Sequence, residues 1–519
     1  MNEQPGAIDQ RRRSLLKLGL ALPAMALAGR SESVRAGPPG EYTSYDGLGL
    51  AQLVASGETT AGELLTLALR AIARLNPTVN AVTETYEALA RSQIEAGVSG
   101  PFAGVPFLLK DLHLAMAGTA STSGSAFFRG AAAERDSELV RRYRQAGLVL
   151  AGRTAVPELA MTGTTESRTW GLTRNPWNLE LTAGGSSGGA AAAVAAGMVP
   201  MANGSDGLGS IRTPASCCGL FGLKPTRGRV PLDQQGWMGL STAHALTRTV
   251  RDSAALLDAT AGFAPGQYFA SPPIAGRYLE AAGRDPEPLK IALMTRPPSG
   301  SEVEPACLAA ADDAAKLCES LGHHVEEAAP TLDAAAMNDA VITALSTYVQ
   351  VATTDRARTL GREPQPDDLE PVNWMFLEIG RTKTAADYER AYRTFQDVTR
   401  RMAAFHDRYD VLLSPTLGMA PVALGTLSLS PADIDQFMAV VPRFGPFTGL
   451  ANMAGTPSMS VPLAQSQDDV PIGTMFGAAF GREDQLFSLA GQLERATQWF
   501  RLTPAMDRKI EKFLQENPA

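Results

Sequence analysis

Histidine and cysteine are scarce in this chain, five and four among 519 residues. Cys217, Cys218, Cys307 and Cys318 show no zinc-ligand spacing. Cys217 and Cys218 are neighbours, so a bridge between them would be strained. Cys307 and Cys318 lie 11 positions apart on one expected helix. At 1.5 Å per residue that is roughly 16 Å, too far for a disulfide. None of His113, His244, His323, His324 and His406 stands in a context that demands catalysis, and surface or hydrogen-bonded roles are expected for them. No lysine follows the Gly-rich segments, which excludes a phosphate loop. No basic stripe interrupts the interspersed charges and the net charge is −8, so no nucleic-acid surface is expected. There is no long internal repeat or low-complexity tract. The apolar run Leu15–Ala28, broken by Lys17, is shorter than the ~20 residues that span a bilayer.

That run follows three arginines, Arg11 to Arg13, and ends in Ala26-Leu27-Ala28, an A-x-A cleavage pattern. The order Arg-Arg-x-Leu-Leu-Lys resembles a twin-arginine export signal. Residues 1–36 are therefore expected to direct export to the periplasm, with the mature protein occupying 37–519. In the remainder, "GVPFLLKDL", "GLVLAGRT", "LKIALMT", "HHVEEAA" and "DVLLSPT" read as short buried strands. Helical spacing runs from Leu48 to Ala96, over Pro305–Leu321 and over Ala385–Phe405, with Thr59 or Thr60 as a helix cap and Glu63 as capping-box partner for Thr60. This alternation predicts an α/β fold: one large domain with a central mixed β-sheet covered by helices on both faces. The block 331–451 is Pro-rich and less regular, and is expected to form the substrate cleft.

Two Gly/Ser stretches carry the chemistry. "LTAGGSSGGAAAAVAAG" runs straight into an Ala-rich helix, which argues against a linker. Gly184–Gly188 formally matches G-x-S-x-G, but the preceding "RNPWNLELT" reads as turns, and a nucleophile elbow needs a strand there. Glycines allow close backbone approach. "GSDGLGSIRTPAS", from Gly204, offers successive N–H groups at a turn, an arrangement able to hold an oxyanion beside Ser210. A base is still required. Lys110 ends the apolar run "VPFLL" and Lys224 follows "FGL"; desolvation lowers the pKa of such lysines, and spacing does not choose between them.

The ordered blocks "AGVPFLLKDL", "GRTAVPELA", "LTAGGSSGGAAAAVAAGMVPMANGSDGLGSIRTPASCCGLFGLKPTRGRVP", "LTRTVRDSAALLD", "FTGLANMAGTPSMSVPL" and "PIGTMFGAAFGREDQLFSLAGQLE" resemble the amidase signature family from about Tyr45 to Glu494. The branch they are most similar to contains cyclic-dimer hydrolases, aryl acylamidases and urethanases. The resemblance implies cleavage of amide C–N bonds, in anilides, oligoamides or carbamates, through an acyl-enzyme and without metal or organic cofactor. It implies a triad of Lys110, Ser186 and Ser210, with Ser186 on a cis peptide and Ser210, 24 positions further on, as nucleophile. It implies an oxyanion hole from the N–H groups of Gly207, Leu208, Gly209 and Ser210. Ser187, Asp206 and Arg212 are expected to support the loop. Leu208 replaces the family's usual glycine, so it either shapes the acyl pocket or weakens the hole; Met475 stands where many members have Gln. Trp374, Phe376, Phe437 and Phe444 form an apolar set expected to line the substrate pocket. The partner is then a small amide or carbamate, with monomer and homodimer both open. Other readings are an amidotransferase-like subunit, opposed by the export signal and acidic charge, and a non-catalytic binding protein, opposed by the intact lysine and serines.

Overall fold

The computed structural model describes residues 41–234, 236–273, 276–499, 506, 508 and 509, so the expected export signal lies outside the described residues. One mixed sheet of 11 strands runs through the molecule. In chain order these are β1 (Val82–Thr85), β2 (Pro106–Lys110), β3 (Val149–Thr154), β4 (Met201–Asp206), β5 (Phe221–Lys224), β6 (Thr242–Thr247), β7 (Lys290–Leu293), β8 (His324–Glu327), β9 (Val411–Pro415), β10 (Ser458–Gln465) and β11 (Pro471–Ala478). Their spatial order is β1-β3-β2-β4-β6-β5-β10-β11-β9-β7-β8. Strands β3, β2 and β4 are parallel to one another, as are β8, β7 and β9, and the strands between these two groups pair antiparallel. Helices flank this sheet, which forms one large domain.

Local sequence accounts for the central strands. Every residue of Pro106–Lys110 is buried, as in an apolar run covered on both faces. Helix α1 (Ala61–Val79) starts at the expected capping box: Thr60 and Glu63 exchange side-chain and backbone hydrogen bonds. Helix α2 (Gly188–Ala195) is built of glycine, alanine and one valine, and its small side chains let it lie buried against the sheet. Helix α3 (Arg212–Cys218) follows the second Gly/Ser stretch and is wholly buried.

Three expectations are corrected. The helical pattern from Leu48 to Ala96 is interrupted by edge strand β1; α1 ends where Asn80 turns left-handed, and the β-branched "VTET" then pairs antiparallel with β3. The segment "RNPWNLELT" is not turn alone, for Asn178–Thr182 pairs with Arg174–Asn175 in a separate small hairpin. The block 331–451 is more regular than its composition suggests: it holds α4 (Ala334–Leu360), α5 (Pro371–Thr382), α6 (Ala385–His406), strand β9 and α7 (Ile434–Phe444). The inward face of α4 includes Thr343, Ser346 and Thr353 alongside Ala340, Ala344 and Val349, so its stripe is too polar to show as hydrophobic periodicity.

Candidate active site

β2 and β4 run parallel, with Leu108 paired to Ala202, so the C-terminal ends of both strands point to the same side of the sheet. Lys110 is the last residue of β2 and is only 1% exposed. Its backbone N–H donates to Asn203 Oδ1 at 3.2 Å. Its Nζ lies 2.9 Å from Ser186 Oγ, 2.9 Å from Ser205 Oγ and 3.3 Å from the Ser205 carbonyl. Loss of water around the ammonium lowers its pKa to about 7, and the opposing pull of Asp206 is the smaller effect. An amine in that state is able to take a proton from a hydroxyl in contact with it.

Ser186 follows a cis peptide at Gly185. A Cβ on Gly185 would overlap the Thr164 carbonyl, so only glycine fits the approach. Ser187 N donates to Ser210 O at 3.2 Å, and Ser187 Oγ donates to Ser205 O at 3.1 Å, lacing the two Gly/Ser stretches together. Ser186 and Ser210 line one cavity. Among the described residues no hydrogen bond joins their hydroxyls; such bonds often tighten only when substrate is present.

Asp206 organises the turn between them. It is fully buried and takes Gly209 N (2.7 Å), Ile211 N (3.1 Å) and Asn452 Nδ2 (2.9 Å). Arg212, equally buried, donates Nε and Nη2 to its two oxygens, both at 3.0 Å, and Nη2 also to Asn452 Oδ1 at 2.6 Å. Burial alone would raise the Asp206 pKa; the Arg212 charge and these donors overcome it and hold the carboxyl far below its usual range. Met475 sulfur sits 3.3 Å from Arg212 Nη1. Gly209 has φ +130°, a left-handed value that favours glycine.

Several sequence expectations change here. The Gly209 N–H is engaged by Asp206, so it is removed from the expected oxyanion set; Gly207, Leu208 and Ser210 N–H make no such bond among the described residues. Leu208 has no left-handed φ and is not among the cavity residues; its side chain packs on a smaller hydrophobic cluster that includes Phe447, Leu450 and Met453, beside Gly449, and Thr448 Oγ1 donates to its carbonyl at 2.6 Å. Phe376, Phe437 and Phe444 are buried in the main core, and Trp374 packs on that core with Arg381 over its ring. None of the four lines the cavity, because amphipathic helices turn their aromatic faces inward. Lys224 is also pushed down to about 7, by burial first and then by Arg212, but its Nζ donates to the Pro225 carbonyl at 2.7 Å and not to either serine.

The sequence reading missed Asn452, Ser205, His113, Trp237 and Tyr348. Asn452 and Ser205 lie inside the recognised blocks and were open to detection there. The last three line the cavity from a loop after β2, a loop before β6 and the middle of α4. His323 is buried, taking Leu289 N on Nδ1 and pairing through Nε2 with Gln492. No group of histidines, cysteines and carboxylates among the described residues forms a metal cluster, and no described helix is long and apolar enough to cross a membrane.

A family model described as Amidase matches residues 63–487. The chain belongs to the amidase signature family and is an amide-cleaving hydrolase acting on C–N bonds. It is 38% identical over 491 residues to the 6-aminohexanoate-cyclic-dimer hydrolase of Paenarthrobacter ureafaciens, covering 90% of this chain and 98% of that one. A solved 6-aminohexanoate cyclic dimer hydrolase complexed with substrate superposes with a TM-score of 0.86 at 35% identity, covering 90% of this chain and 99% of the other. A bacterial aryl acylamidase of the family superposes at 0.79 with 27% identity, covering 88% and 97%.

The Asp206–Arg212 pair generates a prediction. Asp206→Ala strands a buried guanidinium and releases the backbone N–H groups of Gly209 and Ile211; it should destabilise the fold by roughly 3–5 kcal/mol. Urea unfolding measures this, and a loss under ~1 kcal/mol would show that the turn does not depend on the carboxylate.

Proposed function

We propose that the reaction runs through Ser210 as nucleophile, Ser186 as bridging hydroxyl and Lys110 as base, on uncharged amides that include anilides and carbamates. The observation that carries the reading is the 2.9 Å contact of a desolvated Lys110 Nζ with Ser186 Oγ, in a cavity that also holds Ser210. Neutral Lys110 takes the Ser186 proton while Ser186 takes that of Ser210. Ser210 Oγ bonds to the carbonyl carbon, and the oxyanion falls to the N–H groups of Gly207, Leu208 and Ser210. Collapse breaks the C–N bond; the proton returns through Ser186 to the departing amine. Water then attacks the ester, giving its proton back along the same path, and the acid leaves.

The substrates named for the relatives support this class, an oligoamide ring for one and an aryl amide for another. The apolar cavity wall of Leu112, Leu114, Leu139, Leu159 and Leu232 suits an uncharged chain or ring. Export through the twin-arginine route completes the proposal, resting on Arg12, Arg13 and the cleavage pattern that follows.

Ser210→Ala should abolish hydrolysis of an acetanilide with the unfolding midpoint retained; turnover within about tenfold of the parent, ~1.4 kcal/mol in the barrier, rejects the nucleophile assignment. The base must be neutral to act, so kcat/KM should climb as pH rises through about 7 and level off above it. A profile flat from about pH 5 to 9 removes Lys110 from that role. For export, Arg12→Lys with Arg13→Lys should leave the protein in the cytoplasm on fractionation of a bacterial host; an undiminished periplasmic yield counts against the signal.

A further inference from the structure

Three aromatic side chains from distant parts of the chain meet on one wall of the cavity. His113 stands three residues after Lys110 with φ +55°, a left-handed backbone that turns the chain at the end of β2. Its Nε2 is 2.7 Å from the Tyr348 hydroxyl, and the rings meet edge to face at 6.0 Å. Trp237 meets the other side of Tyr348, also at 6.0 Å and edge on. Trp237 also lies against the turn that carries Ser210, since a Cβ on Gly207 would run into its indole. The accessible surface of His113 borders the cavity, and its Nδ1 makes no hydrogen bond among the described residues. His113 keeps surface open to solvent, yet the protein packed around its ring, and secondly Lys110, push its pKa down to about 4, so the imidazole is neutral at neutral pH. Burial likewise raises the Tyr348 phenol, which stays protonated.

The pair therefore presents one free N–H or O–H and one acceptor, whichever tautomer the ring adopts, and no charge. The same cavity is lined by leucines, among them Leu112, Leu114 and Leu232, and by the polar Asp233 and Gln234.

Resting on the amidase reading above, we propose that His113 and Tyr348 are specificity-determining residues that hydrogen-bond a second polar group of the substrate, remote from the scissile amide, while Trp237 lies along its apolar body. The preferred substrate is then an uncharged amide carrying another neutral hydrogen-bonding group, such as a second amide. A carboxylate at that place is disfavoured, because neither partner is cationic and Asp233, which lines the same cavity, repels it.

The test compares three para-substituted acetanilides bearing acetamido, isopropyl or carboxylate groups. Dissociation constants are measured by calorimetry in the Ser210→Ala background, and kcat and KM in the parent enzyme. The acetamido compound should bind most tightly and the carboxylate most weakly. Tyr348→Phe keeps the ring and removes the hydroxyl; it should cut the preference for acetamido over isopropyl by about three- to tenfold, the span of one net hydrogen bond. The loss should appear in Kd and KM and not in kcat. His113→Asn, which tolerates the left-handed backbone, should move the preference in the same direction. Equal preference in parent and Tyr348→Phe, or tightest binding of the carboxylate, overturns the proposal. Selective binding of the acetamido compound with no turnover of any amide by the parent enzyme overturns the amidase reading and leaves the binding wall standing.

Discussion

The site depends on one buried ion pair. Asp206 and Arg212 face each other without solvent at the end of β4, with Asn452 bridging them from a helix more than two hundred residues further along the chain. Burying either charge alone is costly, so each requires the other and the hydrogen bonds that surround them. The carboxylate takes N–H groups from both sides of Ser210, and that fixes the path of the turn. Thr448 ties the same turn to the 449–454 helix from outside. The pair also consumes the negative charge at the heart of the site. Lys110 and Lys224 are left in a desolvated neighbourhood with no carboxylate of their own, and both are driven toward the neutral amine.

Two lysines with the same depressed pKa show that electrostatics does not by itself select a base. Geometry separates them. Lys110 ends a strand parallel to β4, and its Nζ reaches Ser205, near the end of that strand, and Ser186 beside it. Lys224 ends β5 and spends its donor on the next residue's carbonyl. The close approach of the Ser186 segment to this edge requires a residue without a side chain at position 185.

The cavity wall draws on more of the chain than the lysine and serines do. Lys110, Ser186, Ser205 and Ser210 come from β2, β4 and the loops attached to them, and His113 follows Lys110 on the same segment. Tyr348 comes from α4, a helix of the block inserted between β8 and β9, and Trp237 from a loop leading into β6. Two of the three aromatic residues on that wall thus reach the serines only in the folded molecule.

The sequence by itself determined the class of fold and the family, and it offered the lysines and serines from which a site could be built. An apolar run ending in lysine, glycines that permit close approach and ordered blocks over most of the chain are local features, visible without coordinates. It also determined the capping box of α1, because Thr60 and Glu63 interact across three positions. Only the tertiary structure decided which lysine touches a serine, that Gly209 gives its N–H to Asp206, and that Leu208 packs on the core beside the turn. It alone moved Trp374, Phe376, Phe437 and Phe444 from cleft to core and put His113, Trp237 and Tyr348 on the cavity wall. The physical reason is that hydrophobicity reports whether a side chain leaves water and not what it leaves water for. An aromatic residue on an amphipathic helix has the same sequence pattern whether it faces another helix or a substrate. The difference is set by contacts between residues hundreds of positions apart, which the folded sheet alone brings together.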